Sequence, residues 1–379
     1  MQALSSLAYY GYVPLIPLIE NELYLTNTQI GWMTSAVFLG SSLIAIPSGV
    51  ITDRIGATKT LLLFMIILII VLLSFSIVNG YLLVLLLLFL LGVGYGGITP
   101  GTNKSIMENF NEFNRGTAMG IKQMGVSIGS ALGTLILPVI AGFVGWRYSL
   151  FYIALLLVIM CLFHYKILNE PNLTSNRTNF AKNIKQLLNN RKLIKIIVVI
   201  VFFIWVQLSV MTYLVLYLKD QNLSFSVALF CLALLQIGGV IGRAGWGFIS
   251  DRYFNRDREI ILTMVAILSG IFVIVLCLIS SHLLFIVTCF LVLMLGITTQ
   301  GWNGIFVLMV SEVVPKELIG LASGLGLSFV YLGAVFGTPI SGWIIDMTGS
   351  YKIMWLSCGL IILIIGLISY SFRKHNISE

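Results

Sequence analysis

Apolar stretches of about twenty residues or more recur along this chain, separated by short clusters of charged and turn-forming residues. A helix of about 20 residues spans the ~30 Å hydrocarbon layer of a bilayer, so each stretch is long enough to cross. Twelve can be marked: 3–22, 27–52, 60–78, 81–106, 115–142, 146–166, 192–218, 224–250, 259–280, 283–310, 319–345 and 351–372. Hydrocarbon offers no water to unpaired backbone groups, and the strict alternation of a membrane barrel is absent. The pattern therefore predicts an all-α integral membrane protein with twelve transmembrane helices.

One long polar interruption breaks the series. Residues 167–190, "ILNEPNLTSNRTNFAKNIKQLLNN", are rich in Asn, Lys and Thr and have six spans on either side. They divide the chain into an N-terminal six-helix bundle (1–166), a linker (167–190) and a C-terminal six-helix bundle (191–379). Within the linker, about 180–190 suits a short amphipathic surface helix. The halves share a signature. "GVITDRIG" at 49–56 returns as "GFISDRYF" at 247–254, 198 residues on, each time after the second span of its half. A repeat with one orientation predicts two pseudo-symmetric bundles, an organisation typical of secondary transporters. The first span starts almost at Met1 and has no basic flank, which leaves open that the start of this helix is missing.

Gly49, Asp53, Arg54, Gly56 and Lys59 match Gly-x-x-x-Asp-Arg-x-Gly-x-x-Lys, and the chain resembles the major facilitator superfamily. The second copy keeps Gly247, Asp251 and Arg252 and has Phe254 where the last glycine would stand. The resemblance implies a transporter working by alternating access, with these loops as gates. In that family the aspartate meets a helix of the opposite half, which would set Asp53 near Gly320 and Asp251 near Gly116. A glycine at this position lets helices approach closely, and a carboxylate suits a helix N-terminus.

Charge sharpens the topology. The chain is 59% hydrophobic and 9% charged with a net charge of +8. Seventeen cations fall on one side of the twelve-span arrangement, against Arg147, Lys219 and Lys352 on the other. By the positive-inside rule both termini and the 167–190 linker are cytoplasmic, in a multi-pass protein of the plasma membrane. The basic balance is then a topology signal, and no nucleic-acid partner is implied. The five cysteines lie in apolar runs without metal-ligand spacing and suit packing. His164, His282 and His375 sit near span ends with no nucleophile–base spacing and no nucleotide-binding loop, so neither an enzyme nor a resident cofactor is expected.

Two cations remain, and both fall inside spans. Arg243 lies eight residues before Asp251, ~12 Å inside, and Lys122 seven residues past Arg115, ~10 Å inside. Neither has a counterpart in the other half: Ala45 and Gly326 stand at the matching positions. Intramembrane cations are costly and usually face a partner or a watery cavity. The plainer alternative is that each snorkels to the interface. Gln236 shares a helical face with Arg243. Other mid-span polar or aromatic groups are Gln207 with Trp205, Gln300, Trp302 and Asn303, and Tyr9 and Tyr10, on spans that line the cavity in this family. Trp205 and Trp302 suit packing better than ligand contact. The substrate-binding candidates are thus Arg243, Lys122, Gln236, Gln207, Gln300, Asn303, Tyr9 and Tyr10.

All fourteen carboxylates lie at span ends or in loops. A buried acid of the kind used by proton-driven exporters of cations is missing, unless Glu20 or Glu22 reaches inward. Leu88 replaces the fourth-helix arginine of many superfamily members, and Gly129-Ser130 replaces the Gly-Pro of antiporters. Gly125, Gly129 and Gly133 still form a small-residue stripe. "GRAGWGFISDR" resembles monocarboxylate and organic-anion branches; "GTAMGIKQMGVSIGSALG" and "GWNGIF" resemble bacterial branches for small anions such as cyanate. These features point to a monomeric carrier of a small organic anion, driven by a substrate, proton or sodium gradient. An exporter of lipophilic compounds and a non-transporting membrane receptor are the alternatives.

Overall fold

The computed structural model describes residues 1–110, 112–167, 180–255, 257–278, 285–315 and 318–377. Among them every regular element is helical. In chain order the helices are α1 (Gln2–Tyr10), α2 (Ile16–Leu23), α3 (Asn27–Ile55), α4 (Ala57–Ser74), α5 (Tyr81–Asn109), α6 (Glu112–Ile167) and α7 (Phe180–Leu188). There follow α8 (Arg191–Asp220), α9 (Phe225–Tyr253), α10 (Arg258–Val275), α11 (Phe285–Thr299), α12 (Trp302–Val313), α13 (Ile319–Thr348) and α14 (Tyr351–Ile377). The all-helical membrane architecture expected from the apolar pattern is present. Residues 168–179 of the 167–190 linker lie outside the described residues; after them comes α7, where a short helix was expected.

Among the described residues, ten helical segments are long and apolar enough to cross a membrane, against twelve marked spans. Two local features account for the difference. The fifth and sixth spans join end to end in α6, with Gly145 (φ 83°, ψ 160°) as the non-helical residue between them. The first span is broken: α1 ends at Tyr10, Val13–Leu15 makes a 3₁₀ turn, and α2 resumes at Ile16. Pro14 and Pro17 each lack the N–H that a continuous helix would donate and stand where this span is broken, whereas Pro47, Pro100, Pro138 and Pro339 lie inside helices that run on. The tenth span is interrupted as well, at Gln300–Gly301 between α11 and α12.

Several helix starts are written in the sequence. Asn190 accepts from the backbone N–H of Lys192 and Leu193, Ser224 from Val227, and Asp257 from Ile260. Each side chain satisfies a donor that has no partner within its helix. Large apolar side chains such as Leu82, Phe143 and Ile286 remain exposed on helix surfaces, as lipid-facing positions require.

The chain separates into two compact units: Met1–Leu25 with Trp32–Asn179, and Thr26–Gly31 with Phe180–Glu379. In the first, α1 packs on α6 and α4 on α5; in the second, α8 packs on α13, α9 on α11 and α10 on α14. The small stripe of α6 does what its spacing suggests, since a side chain at Gly129 would collide with the backbone of Ala3 in α1. The six residues Thr26–Gly31 are held in the second unit by Asp346 of α13. Its carboxylate accepts from the backbone N–H of Asn27 (3.0 Å) and Thr28 (2.8 Å), and from the side chains of both. A carboxylate so placed caps the N-terminus of α3 from another helix.

Candidate functional site

The polar groups that the apolar pattern leaves inside the second unit come together. Trp302 Nε1 donates to Gln207 Oε1 (2.8 Å), and Asn303 Nδ2 reaches the same oxygen (3.5 Å). Gln300 Nε2 donates to Gln236 Oε1 (3.1 Å), and Arg243 Nη2 to Gln300 Oε1 (3.5 Å). Gln236 and Arg243 come from α9, Gln207 from α8, and Gln300, Trp302 and Asn303 from the break between α11 and α12. Four carboxamides, an indole and a guanidinium are thereby gathered from three spans. Gln207, Gln236, Gln300 and Trp302 are buried, while Arg243 is half-buried.

The helix break supplies this geometry. Where α11 stops, its last carbonyls lose their intrahelical donors, and inside a bilayer they must find others. Trp246 Nε1 donates to Ile297 O (3.0 Å), Gly301 N to Thr298 O (3.3 Å), and Asn303 Nδ2 to Gln300 O (3.1 Å). Broken helices of this kind, with side chains satisfying freed backbone, are the usual way transporters build sites at membrane depth. Trp302 was expected to be packing. Its ring is indeed buried, yet its N–H is part of the network. The signal for that was its place beside two polar residues in "TTQGWNG".

The first-unit candidates form a separate group. Tyr9 is buried, stacks on Tyr95 at 4.0 Å between ring centroids, and shares a hydrogen bond with Ser41 (3.0 Å). Tyr10 is half-buried and edge-on to Tyr9 at 4.7 Å. Gln2 Nε2 donates to the Tyr95 hydroxyl (3.1 Å), and Ser6 bonds the same oxygen (3.0 Å). Lys122 does not join the aromatic group. Its ammonium donates to Asn103 Oδ1 and approaches Thr99 O (3.5 Å), both on α5. Glu22 does not reach inward either: it accepts from Trp146 Nε1 (2.7 Å) and pairs with Arg147 (2.6 Å).

The two signature loops differ in detail. In the first, α3 ends at Ile55 and α4 begins at Ala57, so Gly56 alone makes the turn with φ 90°. That conformation explains a glycine there. In the second, Phe254 has φ −122° and ψ 23°, and Asn255 takes the positive φ of 48° instead. Asparagine tolerates this region, so the turn survives without the glycine. The close helix approach expected at Gly49 and Gly247 is not found: an added Cβ at either meets nothing within 4 Å among the described residues.

Asp53 pairs with Lys104 at 3.4 Å and is largely exposed; Arg54 and Lys59 are exposed too. Asp251 and Glu312 both pair with Arg258, at 2.8 and 3.1 Å, and Arg258 also donates to Ser250 (2.8 Å). Arg258, counted in the sequence as one more loop cation, is only 7% exposed. Arg252 lies exposed beside this cluster. A cavity of about 270 Å³ opens there, lined by Lys192, Lys195, Arg258 and Glu312 among others; no residue of the carboxamide network lines it.

Comparisons with known proteins agree with this picture. A family model described as "Major Facilitator Superfamily" matches residues 1–338. The chain is 24% identical over 363 residues to the "Hexuronate transporter" of Bacillus subtilis (strain 168), covering 90% of this chain and 85% of that one. It is 23% identical over 384 residues to the "Probable sulfoacetate transporter" of Cupriavidus necator, covering 91% and 85% respectively. Among solved structures, a D-xylose-proton symporter superposes with a TM-score of 0.80 at 15% identity, covering 98% of this chain and 96% of that one.

Proposed function

Because the chain belongs to the Major Facilitator Superfamily, we propose that it carries a small organic anion across the membrane by alternating access, with Arg243 as the charge that binds it. The chain is a membrane transporter of a small solute; the anion is the step taken beyond that. The observation that carries it is the Arg243–Gln300 contact inside the second unit. There a half-buried guanidinium meets a neutral carboxamide, which accepts a hydrogen bond without cancelling its charge. A guanidinium offers five N–H donors in a planar fork that matches a carboxylate or sulfonate. A charge-assisted hydrogen bond is worth about 1.5–3 kcal/mol, enough to select an anion over a neutral analogue. The relatives named for hexuronate and sulfoacetate carry anions of this chemistry.

Gln207 and Asn303 lie in the same network and give the bound molecule polar neighbours. Tyr10 would contribute from the first half with the buried Tyr9 packed edge-on against it, while Lys122, tied to α5, acts through its charge. The bundles 1–166 and 191–379, tethered by 167–190, would rock about the site, with the Asp53 and Asp251 loops as gates. Both termini lie in the cytoplasm, the membrane is the plasma membrane, and the carrier works as a monomer. A gradient of the substrate itself, of protons or of sodium supplies the drive.

Uptake of labelled glucuronate, sulfoacetate and nitrate into proteoliposomes, with and without a pH gradient, tests this. Saturable uptake of at least one organic anion is expected, with the others competing. Transport only of neutral or lipophilic compounds would overturn it.

A further inference from the structure

We propose that Gln300 is a positioning residue for Arg243, seated in a slot that Gly239 keeps open, and that it does not itself grip the cargo. This deepens the anion reading above and rests on it. Gln300 is 1% exposed, so its side chain has little surface to offer a ligand. Its amide orientation is dictated by its neighbours. Nε2 lies 3.3 Å from Leu235 O, a backbone carbonyl that can only accept, and 3.1 Å from Gln236 Oε1. With both amide hydrogens committed to α9, Oε1 is the atom left to face the guanidinium, at 3.5 Å from Nη2.

Gly239 gives independent support. It lies four residues before Arg243, one turn along the same face of α9. A Cβ built there would overlap Gln300 Oε1 and come within 2.7 Å of Gln300 Cδ. The carboxamide thus occupies the volume of the missing side chain. Any larger residue at 239 would drive Gln300 Oε1 off its present position. Close α9–α11 packing holds the slot shut on its far side, because Gly242 and Gly296 abut the backbone of the opposite helix.

The arrangement is a lever: α9 supplies the cation, the α11–α12 break supplies the acceptor that aims it, and one glycine sets the clearance. A neutral acceptor matters as much as its place. A carboxylate at 300 would hold the guanidinium as firmly but neutralise it.

The test is glucuronate binding to the purified full-length protein, measured as Kd in a double-mutant cycle. Gln300→Leu, close in size, should weaken binding about tenfold, and Gln300→Glu should weaken it more. In an Arg243→Gln background, Gln300→Leu should change Kd no further, since there is no guanidinium left to aim. Gly239→Ala should resemble Gln300→Leu, yet add nothing once Gln300→Ala has emptied the slot. This second pair reads the slot directly if Gln300→Leu fails to fold. Wild-type affinity in Gln300→Leu and Gly239→Ala, or an equal loss with and without Arg243, overturns the positioning role. A wild-type protein that binds neither glucuronate nor sulfoacetate, or an Arg243→Gln protein that binds them normally, overturns the anion reading and this inference with it.

Discussion

Arg258 and Arg243 are both arginines drawn inside a helical unit, but their surroundings give them opposite tasks. Arg258 meets two carboxylates and a hydroxyl, so its charge is spent on holding α9, α10 and α12 together. Arg243 donates to the Gln300 carboxamide, an acceptor that carries no charge of its own. Removing Arg258 would leave Asp251 and Glu312 facing each other, though at 53% and 47% exposure both can rehydrate. Arg258→Met should therefore cost about 1–2 kcal/mol, less than a fully buried pair would. Lys104→Met should cost nearly nothing, because Asp53 is 77% exposed. Thermal unfolding of the two purified variants checks the contrast; equal shifts would contradict it. The sequence made Arg243 conspicuous because it stands alone in an apolar run. It hid Arg258 because a cation beside a loop looks solvated, and only the folded chain shows Glu312 arriving from α12. Lys122 was equally conspicuous, but nothing in its spacing could show that Asn103 would claim it.

At the level of helices, the hydropathy pattern located the spans well and their interruptions poorly. A window of twenty residues averages over a two-residue break, so 283–310 reads as one helix although Gln300 and Gly301 divide it. Pro14 and Pro17 stand at the other break, but Pro47, Pro100, Pro138 and Pro339 lie inside helices that run on, so proline alone does not tell a break from a span. The network was legible residue by residue, since Gln207, Gln236, Gln300 and Asn303 are all polar in apolar runs. Its connectivity was not, because that depends on glycines setting how closely α9 meets α11. The part of the α3 cap that Asp346 supplies was also invisible, as Asp346 and Asn27 are more than three hundred residues apart. The local part is a box in which the Thr26 and Gln29 side chains each accept from the other's backbone N–H. Asp346→Ala removes the acceptors that Asp346 supplies and should cost about 1–2 kcal/mol, while Asp346→Asn should cost roughly half. Calorimetric unfolding of both would show it, and an unshifted Asp346→Ala would contradict the capping role.

For the whole molecule, the repeated signature, the twelve-span pattern and the family match describe one kind of carrier, and its working cycle can be probed from outside. On the orientation proposed from the cation bias, a phosphatase reporter fused after Asn176 in the linker should be silent in intact cells. An active reporter would reverse the orientation. Asp53→Asn should leave expression near normal and slow transport by loosening a gate; unchanged transport together with unchanged cysteine accessibility on both faces would remove the loop from the cycle. Neither result bears on the cargo. That rests on the charge in the second unit, and equilibrium binding of a transported anion to purified Arg243→Gln protein reads it most directly. Loss of a charge-assisted contact of ~1.5–3 kcal/mol should raise Kd by roughly one to two decades, with Arg243→Lys recovering part of it. An Arg243→Gln protein that folds normally and binds the anion with wild-type affinity would contradict the assignment and leave Arg243 a structural residue.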